Sequence, residues 1–315
     1  MSNSKFNSIN SANVALDFLH RTHYIDHTSY SPATSSHWRH FGSHQQVSKI
    51  KNGYRLSGQG FGVFQPDTIL NRLKSIPVSL YISRMLAQCD PGVVTAARNI
   101  VRDTGRIMSH DVARMILTVE FLKKNVQFRT DQNTYAIIGD GFGTLGSLIK
   151  AVDPRSRIIF INLGRTLFFD LYYTHMSFPE RSHRLLRPGE DASYCEDFNY
   201  IEAEHVFELK PQADVFISVA SMQEINPAIN KQYFSLIRNQ KSETHFYCCN
   251  RISKRLPDGT ITQFYEYGWL DSDELLVDEL CPWHQEGPQW KPPFTFRFDG
   301  PHQHRLVRLK PSLTS

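Results

Sequence analysis

The sequence predicts an α/β fold: a mostly parallel sheet, an antiparallel hairpin at the C-terminus and a helical N-terminal region. Three observations predict it. From about Thr134 onward, short runs rich in β-branched and aromatic residues alternate with helical stretches, the pattern of parallel βαβ units. Upstream, apolar residues recur at helical spacing. Downstream, two β-type runs flank the turn signal Asp299-Gly300-Pro301.

Each element follows in order. Residues 1 to about 45 are polar at the start and are expected to be loosely ordered. They carry six of the 14 histidines: His20, His23, His27, His37, His40 and His44. None stands in an HExxH arrangement, so exposed or capping roles are expected. Residues 51–62 are glycine-rich and read as a loop that approaches something closely. From Pro66 to about Val126 the pattern is helical, interrupted at Ile76-Pro77. Asp90-Pro91 opens one helix, with proline in the first turn, and Ser109 caps another. Strands are expected at 135–139, 158–163, 199–203, 214–219 and 245–250. Helices are expected at 144–152, 165–175 and 226–239. A turn at 255–260 precedes a strand at 262–267. The acidic run 271–279 reads as a solvated helix face with Leu275, Leu276 and Leu280 turned inward. Segments 294–298 and 305–310 would form the closing hairpin. A division follows: 1–130, a helical lid and substrate region; 131–315, the α/β core.

Composition narrows the function classes. Of the 315 residues, 40% are hydrophobic and 21% charged, as in a chain able to bury a full core. The formal charge is +4 without a long Lys/Arg stripe, so no nucleic-acid partner is expected. No stretch approaches the ~18 apolar residues of a membrane helix, and no basic-then-apolar leader is visible. A cytoplasmic location is therefore expected. There are five cysteines, an odd number, without a CxxC. That argues against a disulfide scaffold or a zinc site, and no metal is expected. Cys248 and Cys249 are adjacent in an apolar run, so a strand there would point them to opposite faces as buried thiols. A homo-oligomer is compatible with the composition.

The strongest local signal is Tyr135-Ala-Ile-Ile-Gly-Asp-Gly-Phe-Gly-Thr-Leu-Gly146. A buried strand runs into a glycine turn and then a helix. Glycine is needed where backbone must turn sharply and approach a ligand. Two parses stand side by side. Gly141, Gly143 and Gly146 satisfy GxGxxG, the dinucleotide fingerprint. Gly139, Gly141 and Gly143 satisfy GxGxG, the first motif of class I S-adenosylmethionine methyltransferases. Both cofactor classes usually place an acid at the end of the second strand for the ribose hydroxyls. Here Asn162 stands there, and Ile137 occupies a position that is often acidic in methyltransferases. A Tyr-x-x-x-Lys pair after the fourth strand and a Gly-x-Ser-x-Gly elbow are both missing. The reversed C-terminal strand favours the methyltransferase parse.

Beyond these residues, the sequence resembles the sugar O-methyltransferases of bacteria, a class I family. The resemblance runs through Asp140-Gly-Phe-Gly143, Ile161-Asn-Leu163 and the segment from Phe216 to Ile225. It continues in Phe246-Tyr-Cys-Cys-Asn-Arg251, Leu256-Pro-Asp-Gly259, Glu266-Tyr-Gly-Trp269 and Cys281-Pro-Trp-His284. It implies a Rossmann-like methyltransferase core, S-adenosylmethionine as donor and a hydroxyl acceptor on a sugar or secondary metabolite. Gly139, Asp140, Gly141, Phe142 and Gly143 would then cradle the methionine end. Asn162 would meet the ribose, Leu163 the adenine face, and Ala203 with Glu204 the adenine edge. Ser221 would border the donor. Glu224 is the first acceptor-side candidate; a helix-dipole acid is the alternative. His284 is the second, with a surface-loop histidine as its alternative. Gln223, Trp283 and Arg55 are placed on the substrate side, with Gln59 and Phe61 beside Arg55 as a lid. His302 and His304 would share one face of a strand and point to solvent. An NAD(P)-dependent oxidoreductase, or a repurposed non-catalytic member of the fold, remains as an alternative.

Overall fold

The computed structural model describes residues 11–26, 34–42, 45–51, 53–57, 68–74, 76–126, 132–189, 196–289 and 291–309. The chain begins with helices α1 (Ala12–His20) and α2 (Ser36–Gly42), joined by way of a π-helical segment (Arg21–Asp26). A small hairpin follows, β1 (Gln46–Ile50) and β2 (Gly53–Ser57). Then come α3 (Ile69–Lys74), α4 (Ile76–Met85), α5 (Pro91–Asp103) and α6 (His110–Asn125). The expected caps are in place. Asp90 accepts a hydrogen bond from the Gly92 N–H, and Ser109 from that of Val112.

The α/β part alternates as expected. It runs β3 (Thr134–Ile138), α7 (Thr144–Val152), β4 (Arg157–Asn162), α8 (Gly164–Ser177), β5 (His183–Leu186) and β6 (Phe198–Glu202). It continues with α9 (Val206–Leu209), β7 (Val215–Val219), α10 (Pro227–Arg238) and β8 (Thr244–Arg251). The remaining strands are β9 (Ser253–Arg255), β10 (Ile261–Gln263), β11 (Glu274–Leu280), β12 (Glu286–Pro288), β13 (Thr295–Arg297) and β14 (His302–Leu309). The main sheet has eight strands in the order β11-β14-β8-β7-β3-β4-β6-β5. The six from β5 to β8 are parallel, whereas β14 runs antiparallel between β8 and β11. This is a Rossmann-like sheet, mostly parallel, with a reversed strand next to its edge.

Both faces are covered, as a parallel sheet requires. Tyr135 and Ile137 join the core that includes α1, α5, α6, α7 and α8, while Ala136 and Ile138 join the core under α10. Cys249 and Cys248 divide in the same way, both fully buried. Among the described residues, no helix is long and apolar enough to cross a membrane.

The structure departs from the sequence reading in five places. The acidic run is strand β11, not a helix, and Leu275 and Leu280 are exposed. Its register explains this: Glu274 lies opposite Arg308 and Asp278 opposite Arg305, with ion pairs at 3.1 and 2.6 Å. Such cross-strand partners sit some 30 residues away and leave no local trace. The hairpin partner of β14 is therefore β11, and residues 295–297 pair with β12 instead. Strand β5, only four residues long, is additional. Finally, His302 and His304 are buried, because β14 is an interior strand. The strand expected at 262–267 ends at Gln263 and continues as a short 3-10 turn.

Candidate cofactor and acceptor site

Open α/β sheets bind ligands beyond the carboxyl ends of their strands. A cleft of about 760 Å³ lies there, between the ends of β3, β4, β6 and β7. Its lining includes Gly139, Asn162, Leu163, Ala203, Glu204 and Ser221, six of the residues expected around the donor. Phe207, Ile225, Ile229 and Tyr233 give it an apolar wall. The N-terminal elements close it with Phe18, Thr22, His23, Ser35 and Trp38.

The glycine turn is built from inside. Gly139, Gly141 and Gly143 all have positive φ, at 78°, 90° and 61°. The Asp140 carboxylate accepts the N–H groups of Thr144 and Gly146, both at 2.8 Å, and so caps α7. Asp140, Gly141, Phe142 and Gly143 do not line the cleft. The Phe142 ring packs against Phe169 and Tyr173 instead. Burial raises the Asp140 pKa to about 6, against the pull of the helix N–H groups. Behind the turn, Asp170 accepts the Gly143 N–H at 2.9 Å and the Asn162 side-chain amide at 2.9 Å. Burial, reinforced by the nearby Asp140, pushes Asp170 well above the usual carboxylate range.

Asn162 is thus a brace for the turn. Its amide donates to Asp170 and its Oδ1 accepts the Leu163 N–H at 3.0 Å. The acid missing from this strand end stands one strand over. Glu202 closes β6 directly opposite Asn162 in the register and lines the cleft. One oxygen of Glu202 bonds His23 Nε2 at 2.7 Å, and the other faces His205 Nε2 at 3.5 Å. Burial opposes the charge on Glu202, but the bonds from His205 and His23 prevail and hold its pKa at about 2. The Glu202 bond in turn raises His205. A Cβ on Gly164 would overlap the His23 ring, so glycine there is what lets His23 reach the strand ends.

A second acid–histidine pair lies next to the same cleft, outside its lining. Glu224, in the short turn after β7, bonds His37 Nε2 at 3.1 Å and Lys254 Nζ at 2.5 Å. Burial opposes the Glu224 charge, yet the His37 bond and the Lys254 charge hold its pKa below the usual range. Its neighbours Ile225 and Asn226, and Trp38 beside His37, line the cleft.

The other candidates lie elsewhere. Gln223 is buried behind the turn; its N–H donates to Asn250 Oδ1 and its Oε1 accepts the Arg251 N–H. His284 is fully buried among Cys249, Cys281 and His302 on the α6 side of the sheet. Burial keeps it neutral, with the Arg114 charge adding to the effect. Trp283 packs on Phe121 and His304. Arg55 is an exposed residue of β2 outside the cleft lining, and Gln59 and Phe61 fall outside the described residues. His23, His37 and Glu202 were not legible as a site. Glu202 is the one with a signal, as an acid at the end of a β-rich run.

No family model and no curated protein matches the chain. Solved structures with similar folds include a Nostoc punctiforme protein assigned as an O-methyltransferase. It is 12% identical over 83% of this chain and 80% of that one, with a TM-score of 0.43. PigF, solved with SAH, is 13% identical over 83% and 81%, with a TM-score of 0.39. An arsenic(III) S-adenosylmethionine methyltransferase of Chlamydomonas reinhardtii is 11% identical over 65% and 74%, with a TM-score of 0.35. These likenesses are remote. The strand order and the cleft, described above, carry the functional reading.

Proposed function

We propose that the chain is an S-adenosylmethionine-dependent O-methyltransferase acting on a hydroxyl of a sugar or a sugar-containing small molecule. One observation carries the reading. The buried, ionised carboxylate of Glu202 faces a cleft floored by the Gly139 turn, in a sheet whose parallel part ends at β8 against a reversed strand. In the dinucleotide-binding order 3-2-1-4-5-6 the strand beside the one matching β8 is parallel, whereas here that place is taken by the reversed β14. The sugar acceptor rests on the family resemblance of the segments after the fourth strand.

The residues present fit the donor. Glu202, an acceptor-only group when ionised, suits a pair of ribose hydroxyls. Gly139 and Ser221 line the end of the cleft that would take the methionine part, and Leu163, Ala203 and Phe207 offer apolar surface to the adenine. When bound, the donor supplies an electrophilic sulfonium methyl group. The protein has to align an acceptor oxygen with that carbon, exclude water and take the acceptor proton.

His37 suits the last task better than Glu224. Ionised Glu224 can only accept, so His37 Nε2 donates to it. Glu224 is then a positioning residue, anchored by Lys254, and His37 the base. His37 would take the acceptor hydroxyl proton as that oxygen displaces the thioether sulfur from the donated methyl carbon. The helical segment before residue 130 serves as the lid and substrate region, through α1 and α2. The test is calorimetric titration of the full chain with S-adenosylhomocysteine, then transfer of labelled methyl from the donor to a panel of hydroxylated acceptors. Absence of binding, or fluorescence enhancement with NADH instead, sinks the reading.

A further inference from the structure

One buried histidine, His284, takes no part in the cleft. Cys249 on β8, Cys281 just after β11 and His284 one turn later are all fully buried. Their donor atoms lie within 4.8 Å of one another. His284 Nδ1 is 3.2 Å from Cys281 Sγ and 3.6 Å from Cys249 Sγ. An imidazole nitrogen has one lone pair and accepts one S–H, yet two thiols converge on it. Two zinc-bound ligand atoms at 2.0–2.3 Å in a tetrahedron stand roughly 3.5 Å apart. The observed spacing matches that of ligands around one ion.

We propose that Cys249, Cys281 and His284 hold a divalent zinc ion. Two thiolates and one imidazole form a borderline-soft set that suits zinc and disfavours magnesium or calcium. Three protein donors are present: the ring of His302 lies 5.5 Å from that of His284, and its nitrogens fall outside the group whose donor atoms lie within 4.8 Å of one another. On binding, each thiol gives up its proton to solvent, and the two sulfurs and the ring nitrogen donate their lone pairs to the ion. The ion would tie the end of parallel β8 to the turn after the antiparallel edge strand β11. The absent CxxC hid this in the sequence, because Cys249 and Cys281 come from different strands and only Cys-x-x-His is local.

The test is metal content of the full chain, purified under reducing conditions without added chelator. Roughly one zinc per chain is expected. Cys281→Ser and His284→Ala should each lower zinc affinity by at least about tenfold. Cys89→Ser, outside the cluster, should leave it unchanged. Should the cluster variants not fold, Co²⁺ added to the reduced, metal-free wild-type chain decides. Intense visible bands with thiolate-to-cobalt charge transfer support the site, and weak octahedral bands overturn it. Wild-type protein without bound zinc even after reconstitution, equal zinc in wild type and folded variants, or a Cys249–Cys281 disulfide in the reduced preparation also overturns it.

Discussion

Glu202→Gln separates the donor reading from a merely structural one. The substitution keeps shape and removes charge. In the folded chain Glu202 has a pKa of about 2, against 4.5 ordinarily. At about 1.36 kcal/mol per unit, that amounts to roughly 3 kcal/mol of stabilisation at neutral pH, as an order of magnitude. The side chain is 8% exposed, so solvent screens little of it. The sign follows from the lowered pKa: the stabilisation is complete above the ordinary value near 4.5 and fades as pH falls toward 2. Guanidinium melts at pH 7 should therefore show E202Q less stable by about 1–3 kcal/mol, since glutamine still accepts hydrogen bonds. The gap should close as pH drops below 4.5. Binding carries the functional half. Charge-assisted hydrogen bonds contribute about 1.5–3 kcal/mol, so affinity for S-adenosylhomocysteine should weaken by roughly 10- to 100-fold. Titration calorimetry at pH 7 measures it. A folded E202Q chain that binds with wild-type affinity would refute the placement of the ribose on β6.

Further outcomes follow from other contacts. His37→Gln should lower kcat by about 10²- to 10⁴-fold while leaving S-adenosylhomocysteine affinity unchanged; equal loss in both would make His37 a binding residue. The His205 pKa, raised by Glu202, should fall toward 6.5 in E202Q, as an NMR titration of the ring protons would record. A Cβ at Gly143 meets the Asp170 carbonyl oxygen at 2.7 Å on a backbone with φ of 61°, so Gly143→Ala should cost about 2–4 kcal/mol by denaturant melts. Arg238 and Asp273 form a buried two-pronged pair at 2.5 and 2.7 Å. Asp273→Asn strands the guanidinium charge and should cost about 3–5 kcal/mol; a loss under 1 kcal/mol would contradict that account.

Local chemistry made much of the fold legible. Helix α7 lies where it was expected, at Thr144–Val152, because the glycine turn and the apolar periodicity both act within a few residues. The same holds for β3, β4, β6 and β7, each matched to within a residue at either end. The acidic strand β11 was misread because its charges answer Arg305 and Arg308 across the sheet, while along the chain they resemble a helix surface. The opening histidines were misread for the same reason. His23 and Glu202 are 179 positions apart, and nothing near either residue announces the other.

The sequence by itself determined the α/β class, the glycine turn and the end of the sheet at which a ligand would lie. These rest on patterns of period two and 3.6 and on glycine's freedom at positive φ, all of them properties of short segments. Only the tertiary structure decided which acid faces the cleft. It put Glu202 on the cleft beside Asn162, gave Glu224 a histidine and a lysine, and set His284 against a pair of thiols. Pairing of charges and donors across strands depends on register and chain path, and both are set by burying two sheet faces at once rather than by any local run of residues.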